Sequence, residues 1–232
     1  MLEALGWGAV AASSLLIGAL VGLLRSWPER AIGLVLGFGA GALISAVSFE
    51  LAQEGVRVGG GGAVAVGLAA GALTYYVCDT EIERRSGGAD AGAGLALGAF
   101  LDGIPEQMVL GLGIALGDGV SAGLLAAIFV SNLPEAIGSA TGMQGAGRSR
   151  RDVVLLWTGV VVICTIATGV GFAIADTASD TLKGGINGFA AGALVVMLVD
   201  SMIPEATRQA GRTTGLVTTL GFAVAAGMSG IS

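Results

Sequence analysis

The sequence contains no histidine and very little charge. Its 232 residues include 11 Lys and Arg and 17 Asp and Glu, so that 12% are charged, whereas a soluble domain carries roughly 25%. A water-soluble globule is therefore excluded. The missing histidine also excludes Ser-His and Cys-His catalysis and any zinc site built on imidazole.

Cysteine is almost as scarce, with Cys78 and Cys164 as the two examples. Each falls inside a predicted helix. Because buried thiols are usually small packing residues, we interpret both in that way and keep metal ligation as the alternative.

What the sequence does have is apolar residues and glycine. Hydrophobic types make up 54% of the chain and glycine numbers 42, with a mean hydropathy of +0.85. The glycines follow no triplet period and lie within runs rich in Leu, Val and Ile, which excludes collagen and flexible linkers. The pattern predicts an all-α polytopic membrane protein of closely packed helices.

Eight stretches are long enough to cross a bilayer, which takes about 20 apolar residues each. They use most of the chain, so residues 1–232 are predicted to form a single transmembrane domain, with 79–93 as the longest polar connection. The predicted spans are about 4–24, 31–51, 60–78, 94–116, 120–142, 153–175, 185–204 and 214–231.

The positions of Lys and Arg predict the orientation. Nine of the 11 fall in the loops after spans 1, 3, 5 and 7, and the other two are Arg57 and Lys183. Since cytoplasmic loops carry the excess of positive charge, we expect a multi-pass protein of the cell membrane with both termini outside and the 79–93 loop in the cytoplasm.

Two pairs of spans repeat one another. Residues 37–43 recur as 188–194, and Glu54 recurs as Glu205 at the same offset, although spans 2 and 7 cross in opposite directions. Residues 100–106 likewise resemble 129–135, each ending in Pro-Glu. Matching segments of opposite direction are typical of inverted-repeat transporters, whose sites lie near the midplane at interrupted helices.

Spans 4 and 5 contain carboxylates at membrane depth. Asp102 and Glu106 are four residues apart and share one helix face, as do Ser131 and Glu135. No Lys or Arg lies in either span, and an unpaired intramembrane charge costs several kcal/mol. The partner is therefore a metal cation or protons, unless the acids are protonated and only tie helices together.

This pattern resembles the ZIP (Zrt-, Irt-like) family of divalent metal transporters. Its span-4 signature, His-Asn-x-Pro-Glu, corresponds here to residues 102–106, and its span-5 signature, (His/Gln)-(Glu/Asp)-x-Pro-Glu, corresponds to 131–135. The resemblance covers the whole chain. It implies eight helices in a 3+2+3 arrangement, in which inverted spans 1–3 and 6–8 surround the 4–5 pair.

The resemblance also implies a ligand set. Glu106 and Glu135 would be primary metal ligands, Asp102 would replace the family's histidine, and Ser131 could be a weak oxygen ligand. The second metal position of the family would lack a ligand in span 5, because the neutral Asn132 stands where the family has a carboxylate.

The span-4 asparagine of the second site is replaced as well, by Gly103, and span 6 lacks the glutamate that some bacterial members place there. A single-metal site is therefore expected.

Four further acids are pathway candidates under this resemblance. Asp200 and Glu205 would line the cytoplasmic release route, and their span-2 counterparts Glu50 and Glu54 would face the outer vestibule.

The predicted function is transport of divalent cations, by alternating access, through a carboxylate site between spans 4 and 5. Oxygen ligands suit Mn²⁺, Zn²⁺ also binds carboxylates, and Fe²⁺ and Cd²⁺ stay open. We expect the metal to be the transported substrate rather than a cofactor, and we expect no enzyme activity and no nucleic-acid partner. The expected partners are the lipid bilayer and, as an open option, a second copy of the chain in a homodimer.

Other readings stay open. One is a proton-linked transporter using the same acids, and another is a family member that binds metal without moving it. An intramembrane protease is more remote, because Asp118 lacks the Gly-x-Gly-Asp context that an aspartyl protease requires.

Overall fold

The computed structural model describes residues 1–24, 27–86, 91–115, 122–175 and 177–229, which are helical nearly throughout and contain no strand. The prediction of an all-α chain is therefore confirmed. The helices are α1 (Leu2–Leu24), α2 (Glu29–Ser45), α3 (Glu54–Ser86), α4 (Ala91–Ala115), α5 (Ala122–Gly145), α6 (Arg150–Ala175), α7 (Asp180–Met197), α8 (Ile203–Ala210) and α9 (Thr214–Ser229).

Two π-helical segments join consecutive helices. The first π segment (Ala46–Gln53) connects α2 to α3, and the second π segment (Leu198–Met202) connects α7 to α8. A short 3₁₀ turn, Gly211–Thr213, separates α8 from α9.

Several continuous helical stretches are long and apolar enough to cross a membrane, which supports a multi-pass membrane protein. Five are found within the described ranges, and two of these have 53 and 49 residues, more than twice the about 20 that one span needs. The five are Leu2–Leu24, Glu29–Glu81, Gly123–Gly145, Arg150–Ala175 and Asp180–Met228.

Each of the two longest stretches contains a glycine with a backbone conformation that other residues rarely adopt. Gly60, inside α3, has φ 81° and ψ 157°, and Gly211, after α8, has φ 65°. Positive φ at glycine breaks a helix without steric cost, so the chain turns at these two points.

Several helices begin at residues that suit the first turn of a helix or cap its free backbone N–H groups. Pro28 is extended (φ −60°, ψ 129°) and precedes Glu29 in the first turn of α2. The Ser149 hydroxyl accepts a hydrogen bond from the Asp152 backbone N–H at 3.2 Å at the start of α6, and Ser179 caps α7 in the same way. Such caps satisfy backbone donors that a helix start leaves open.

The predicted connection 79–93 is partly helical. Helix α3 continues to Ser86 and α4 begins at Ala91, while residues 87–90 lie outside the described part of the chain. The extension carries an ion pair between Glu81 and Arg84 (3.3 Å), because residues three apart are neighbours on a helix. The helix is thus longer than the predicted span 3.

Helix packing uses small residues. Helix α1 packs on α5 and α4 on α6, while α2 packs on α9 and α3 on α7. Repeat glycines of α2 and α7 lie against neighbouring helices of the same chain, so that an added Cβ would collide there. That atom would meet Ser131 at Gly39, Thr218 at Gly41, Val64 at Gly188 and Leu68 at Gly192.

Candidate metal centre

The candidate centre is built on two helices that each contain a proline. Pro105 lies within α4 and Pro134 within α5. Proline has no N–H, so Pro134 leaves the carbonyl of Val130 without its helical donor. That carbonyl faces α2, where an added Cβ at Gly39 would lie 3.2 Å from its oxygen.

Glu106 is the most unusual side chain of this region. It is 1% exposed, and neither carboxylate oxygen has a hydrogen-bond partner in the described structure. It interacts electrostatically with Glu135 of α5, and neither helix contains Lys or Arg. Two acids on neighbouring helices without Lys or Arg therefore lie close enough to influence each other electrostatically.

Ser131 and Asn132 lie on α5 close to Glu135 in sequence. They are 2% and 3% exposed, and Glu135 is half-buried. The Ser131 hydroxyl donates to the Ile128 carbonyl at 3.1 Å. Its oxygen lone pairs stay available for a cation, because a hydroxyl that donates one hydrogen bond can still accept two.

Two polar residues beside this centre were missed from the sequence. Gln107 is fully buried, and its Oε1 accepts a hydrogen bond from the Thr168 hydroxyl of α6 at 2.6 Å. Its Nε2 has no partner in the part of the chain that is described. The sequence could have indicated a buried polar group here, because a glutamine directly follows Glu106 in an apolar span. Only the tertiary structure shows that Thr168 is the partner of this glutamine.

Two predicted residues cannot be placed. The side chain of Asp102 and the whole of Asp118 lie outside the described residues. Within the described structure, no group of three or more Asp, Glu or Cys side chains is close enough to hold a metal. The structure thus brings Glu106 and Glu135 together, and the complete predicted ligand set stays a prediction.

Among the pathway candidates, Glu54 is the first acid of α3 and is ion-paired. Arg57 donates to both of its oxygens, with Nε–Oε2 at 2.6 Å and Nη2–Oε1 at 2.5 Å. The Glu54 side chain is 27% exposed. This i,i+3 spacing places the two side chains on one helix face, so Arg57 pairs within its own helix.

Glu205 has the corresponding arrangement in α8. Its carboxylate accepts from Arg208 and also from Gln209. Glu54–Arg57 and Glu205–Arg208 lie at the same offset in the chain as the repeat found in the sequence.

The remaining two pathway candidates lie in the π segments. Glu50 is half-buried in the first and Asp200 is exposed in the second. All four candidates therefore lie in or soon after a π segment, a helix distortion that is frequent at functional sites. The second π segment approaches the centre, because an added Cβ at Gly39 would touch both Met202 (3.0 Å) and Ser131 (2.9 Å).

Together these features define a helical membrane protein with a buried and a half-buried acid on two proline-containing helices. No family model matches the chain. The chain is 32% identical over 190 residues to the Arabidopsis thaliana protein named "Putative zinc transporter At3g08650". The match covers 77% of this chain and 30% of that protein, so the chain spans less than a third of its relative's length. The chain belongs to the ZIP family, as its two Pro-Glu motifs indicated.

Proposed function

We propose that this protein moves divalent metal cations across the membrane through a carboxylate site between α4 and α5. The observation that carries the proposal is Glu106, whose buried carboxylate has no partner within the described structure and lies within electrostatic reach of a second acid, Glu135. Two ionised acids in this position repel each other unless a cation lies between them. The relative is named a putative zinc transporter, which agrees with a metal as that cation.

The proposed ligands are Asp102, Glu106, Ser131 and Glu135, around one metal ion. Asn132 contributes at most a neutral oxygen, which favours a single ion over two. Carboxylate oxygens accept Zn²⁺ and Mn²⁺, and Fe²⁺ and Cd²⁺ are the other candidate cargoes.

The proposed architecture has eight spans in a 3+2+3 arrangement. The 53- and 49-residue helical stretches would each hold two spans, turning near Gly60 and Gly211. The helix pairs also favour inverted repeats: α2 with α9 corresponds to α7 with α3, and α1 with α5 corresponds to α6 with α4.

In this architecture both termini lie outside the cell and the connection 79–93 lies in the cytoplasm, following the distribution of Lys and Arg. Glu50 and Glu54 then face the outer vestibule, whereas Asp200 and Glu205 line the release route. Alternating access would expose Glu106 and Glu135 to each side in turn as one helix bundle rocks against α4 and α5.

The test is metal uptake into proteoliposomes that contain the purified protein, scanned over Zn²⁺, Mn²⁺, Fe²⁺, Co²⁺ and Cd²⁺. We expect Glu106→Gln and Glu135→Gln each to lower uptake at least about tenfold, because removing even an outer partner of a metal site costs that much affinity. The matched control is Glu29→Gln, since Glu29 also follows a proline but is exposed at the start of α2.

Three results would contradict the proposal. Unchanged uptake in both Glu106→Gln and Glu135→Gln would show that the site assignment is wrong. Proton flux without metal flux, measured with a pH-sensitive dye inside the same vesicles, would favour the proton-linked reading. Metal binding without uptake of any ion would favour a binding protein that has lost transport.

A further inference from the structure

Cys164, in the middle of α6, is fully buried and points toward α4. An added Cβ at Gly103 would lie 2.7 Å from its sulfur atom. Any side chain at position 103 would therefore collide with the thiol, and glycine at this point gives the sulfur direct access to the α4 backbone.

The thiol is also next to the candidate metal centre. Glu106 lies three residues after Gly103, nearly one turn along α4, and Cys164 interacts electrostatically with its carboxylate. Glu106 is itself 1% exposed with two oxygens that lack a partner in the described structure. A buried thiol of α6 and a buried acid of α4 that has no partner in the described structure thus lie near each other.

We propose that Cys164 is a sulfur ligand of the transported metal and biases the site toward soft cations. This rests on the proposed function for the position of the ion. Glu106 is then the central ligand, with Glu135 on α5 and Cys164 on α6 as its neighbours. Thiolate favours zinc and other soft ions over Mn²⁺ and Mg²⁺. One cysteine ligand would therefore restore part of the preference for softer metals that histidine ligands would otherwise provide.

Binding requires these side chains to move. Acids and thiols form no group of three at ligand distance in the described structure, so the ion must draw Glu135 and Cys164 toward Glu106. A coordinated thiol loses its proton outright, and metal binding releases that proton.

Cys164 also packs among apolar residues of α1 and α5, including Leu15 and Ala136. A thiol that served only as packing would not change the spectrum of a bound metal. The spectroscopic readout therefore separates the two roles, whereas stability alone would not.

The test is titration of the purified full chain in detergent with Co²⁺, followed by absorption. Visible d–d bands report Co²⁺ bound by any ligands, while a near-ultraviolet sulfur-to-cobalt charge-transfer band appears only with a thiolate ligand. Cys78→Ser is the matched control, because it leaves Cys164 as the only cysteine and needs no change at the centre.

We expect the charge-transfer band in the wild type and in Cys78→Ser, and its loss in both Cys164→Ser and Cys164→Ala while the d–d bands remain. Cd²⁺ affinity should fall at least about tenfold in Cys164→Ser, the smallest loss expected for a metal partner, and Mn²⁺ affinity should change far less.

The outcomes separate the two proposals. If d–d bands form without a charge-transfer band in Cys78→Ser, the thiolate ligand is wrong and the carboxylate site stands. If neither the wild type nor Cys78→Ser binds Co²⁺, Zn²⁺ or Cd²⁺ at all, the proposed function fails together with the sulfur ligand.

Discussion

The acids of this protein fall into two groups that differ in their countercharge. Glu54 and Glu205 lie beside the π segments, are about one quarter exposed, and each binds an arginine three residues further along its own helix. Glu106 and Glu135 lie on helices without any Lys or Arg, and Glu106 is sealed from solvent.

This difference indicates which acids can hold a cation strongly. An arginine already satisfies Glu54, so an arriving metal ion must compete with it. Glu106 has no such competitor within the described structure, and in a low-dielectric surrounding its attraction for a cation is stronger. Under the proposed function, the acids paired with arginine would guide ions, and Glu106 would bind them.

The largest expected effect is on stabilisation by metal. A cation that binds only the folded protein stabilises it by about 2.7 kcal/mol at 100 times its Kd. Thermal unfolding in detergent with increasing Zn²⁺ should show this gain for the wild type and for Glu54→Gln, but not for Glu106→Gln. If Glu54→Gln loses the gain as completely as Glu106→Gln does, the two groups of acids do not differ as described.

A second prediction concerns the polar neighbour of Glu106. Thr168→Val removes the hydroxyl that donates to buried Gln107, which should cost about 2 kcal/mol of folding free energy because a buried acceptor is left unsatisfied. The control is Thr165→Val, one turn earlier, whose hydroxyl donates only to its own helix at Val161. Equal shifts in unfolding midpoint for the two variants would contradict this role of Thr168.

Much of the fold was readable from sequence because membrane helices have a strong local signal. Long apolar runs fixed the helical class, and Pro-Glu in two of them marked α4 and α5. The π segments were not predictable, since apolar residues look alike whether a turn closes after four residues or five. The extension of α3 to Ser86 was missed because charged residues predict exposure, not the end of a helix.

Some contacts of the pathway candidates could have been predicted from spacing alone, although the sequence analysis did not name them. Glu54 and Arg57 are three apart, so their pairing needs only one helix, and the same holds for Glu205 and Arg208. The contact of Gly103 with Cys164 joins two helices 61 positions apart in the chain, and no local pattern contains it. Sequence could therefore indicate the acids and leave metal ligation by Cys164 open, but it could not place the Cys164 sulfur near Glu106.

The smallest expected effect is the strength of the ion pairs themselves. A double-mutant cycle of Glu54→Gln and Arg57→Gln should give a coupling of about 0.3–0.5 kcal/mol in unfolding free energy, the range for exposed pairs within a helix. The coupling should shrink in high salt, because screening weakens exposed charges.

The double-mutant cycle for Glu205 and Arg208 provides a comparison within the same protein. There Gln209 also binds Glu205, so removal of Arg208 leaves one donor and the measured coupling should be no larger. A coupling above about 1 kcal/mol, outside the range for exposed pairs, would mean that Arg57 holds Glu54 too firmly for a passing cation to compete, and Glu54 would then have no place on the ion path.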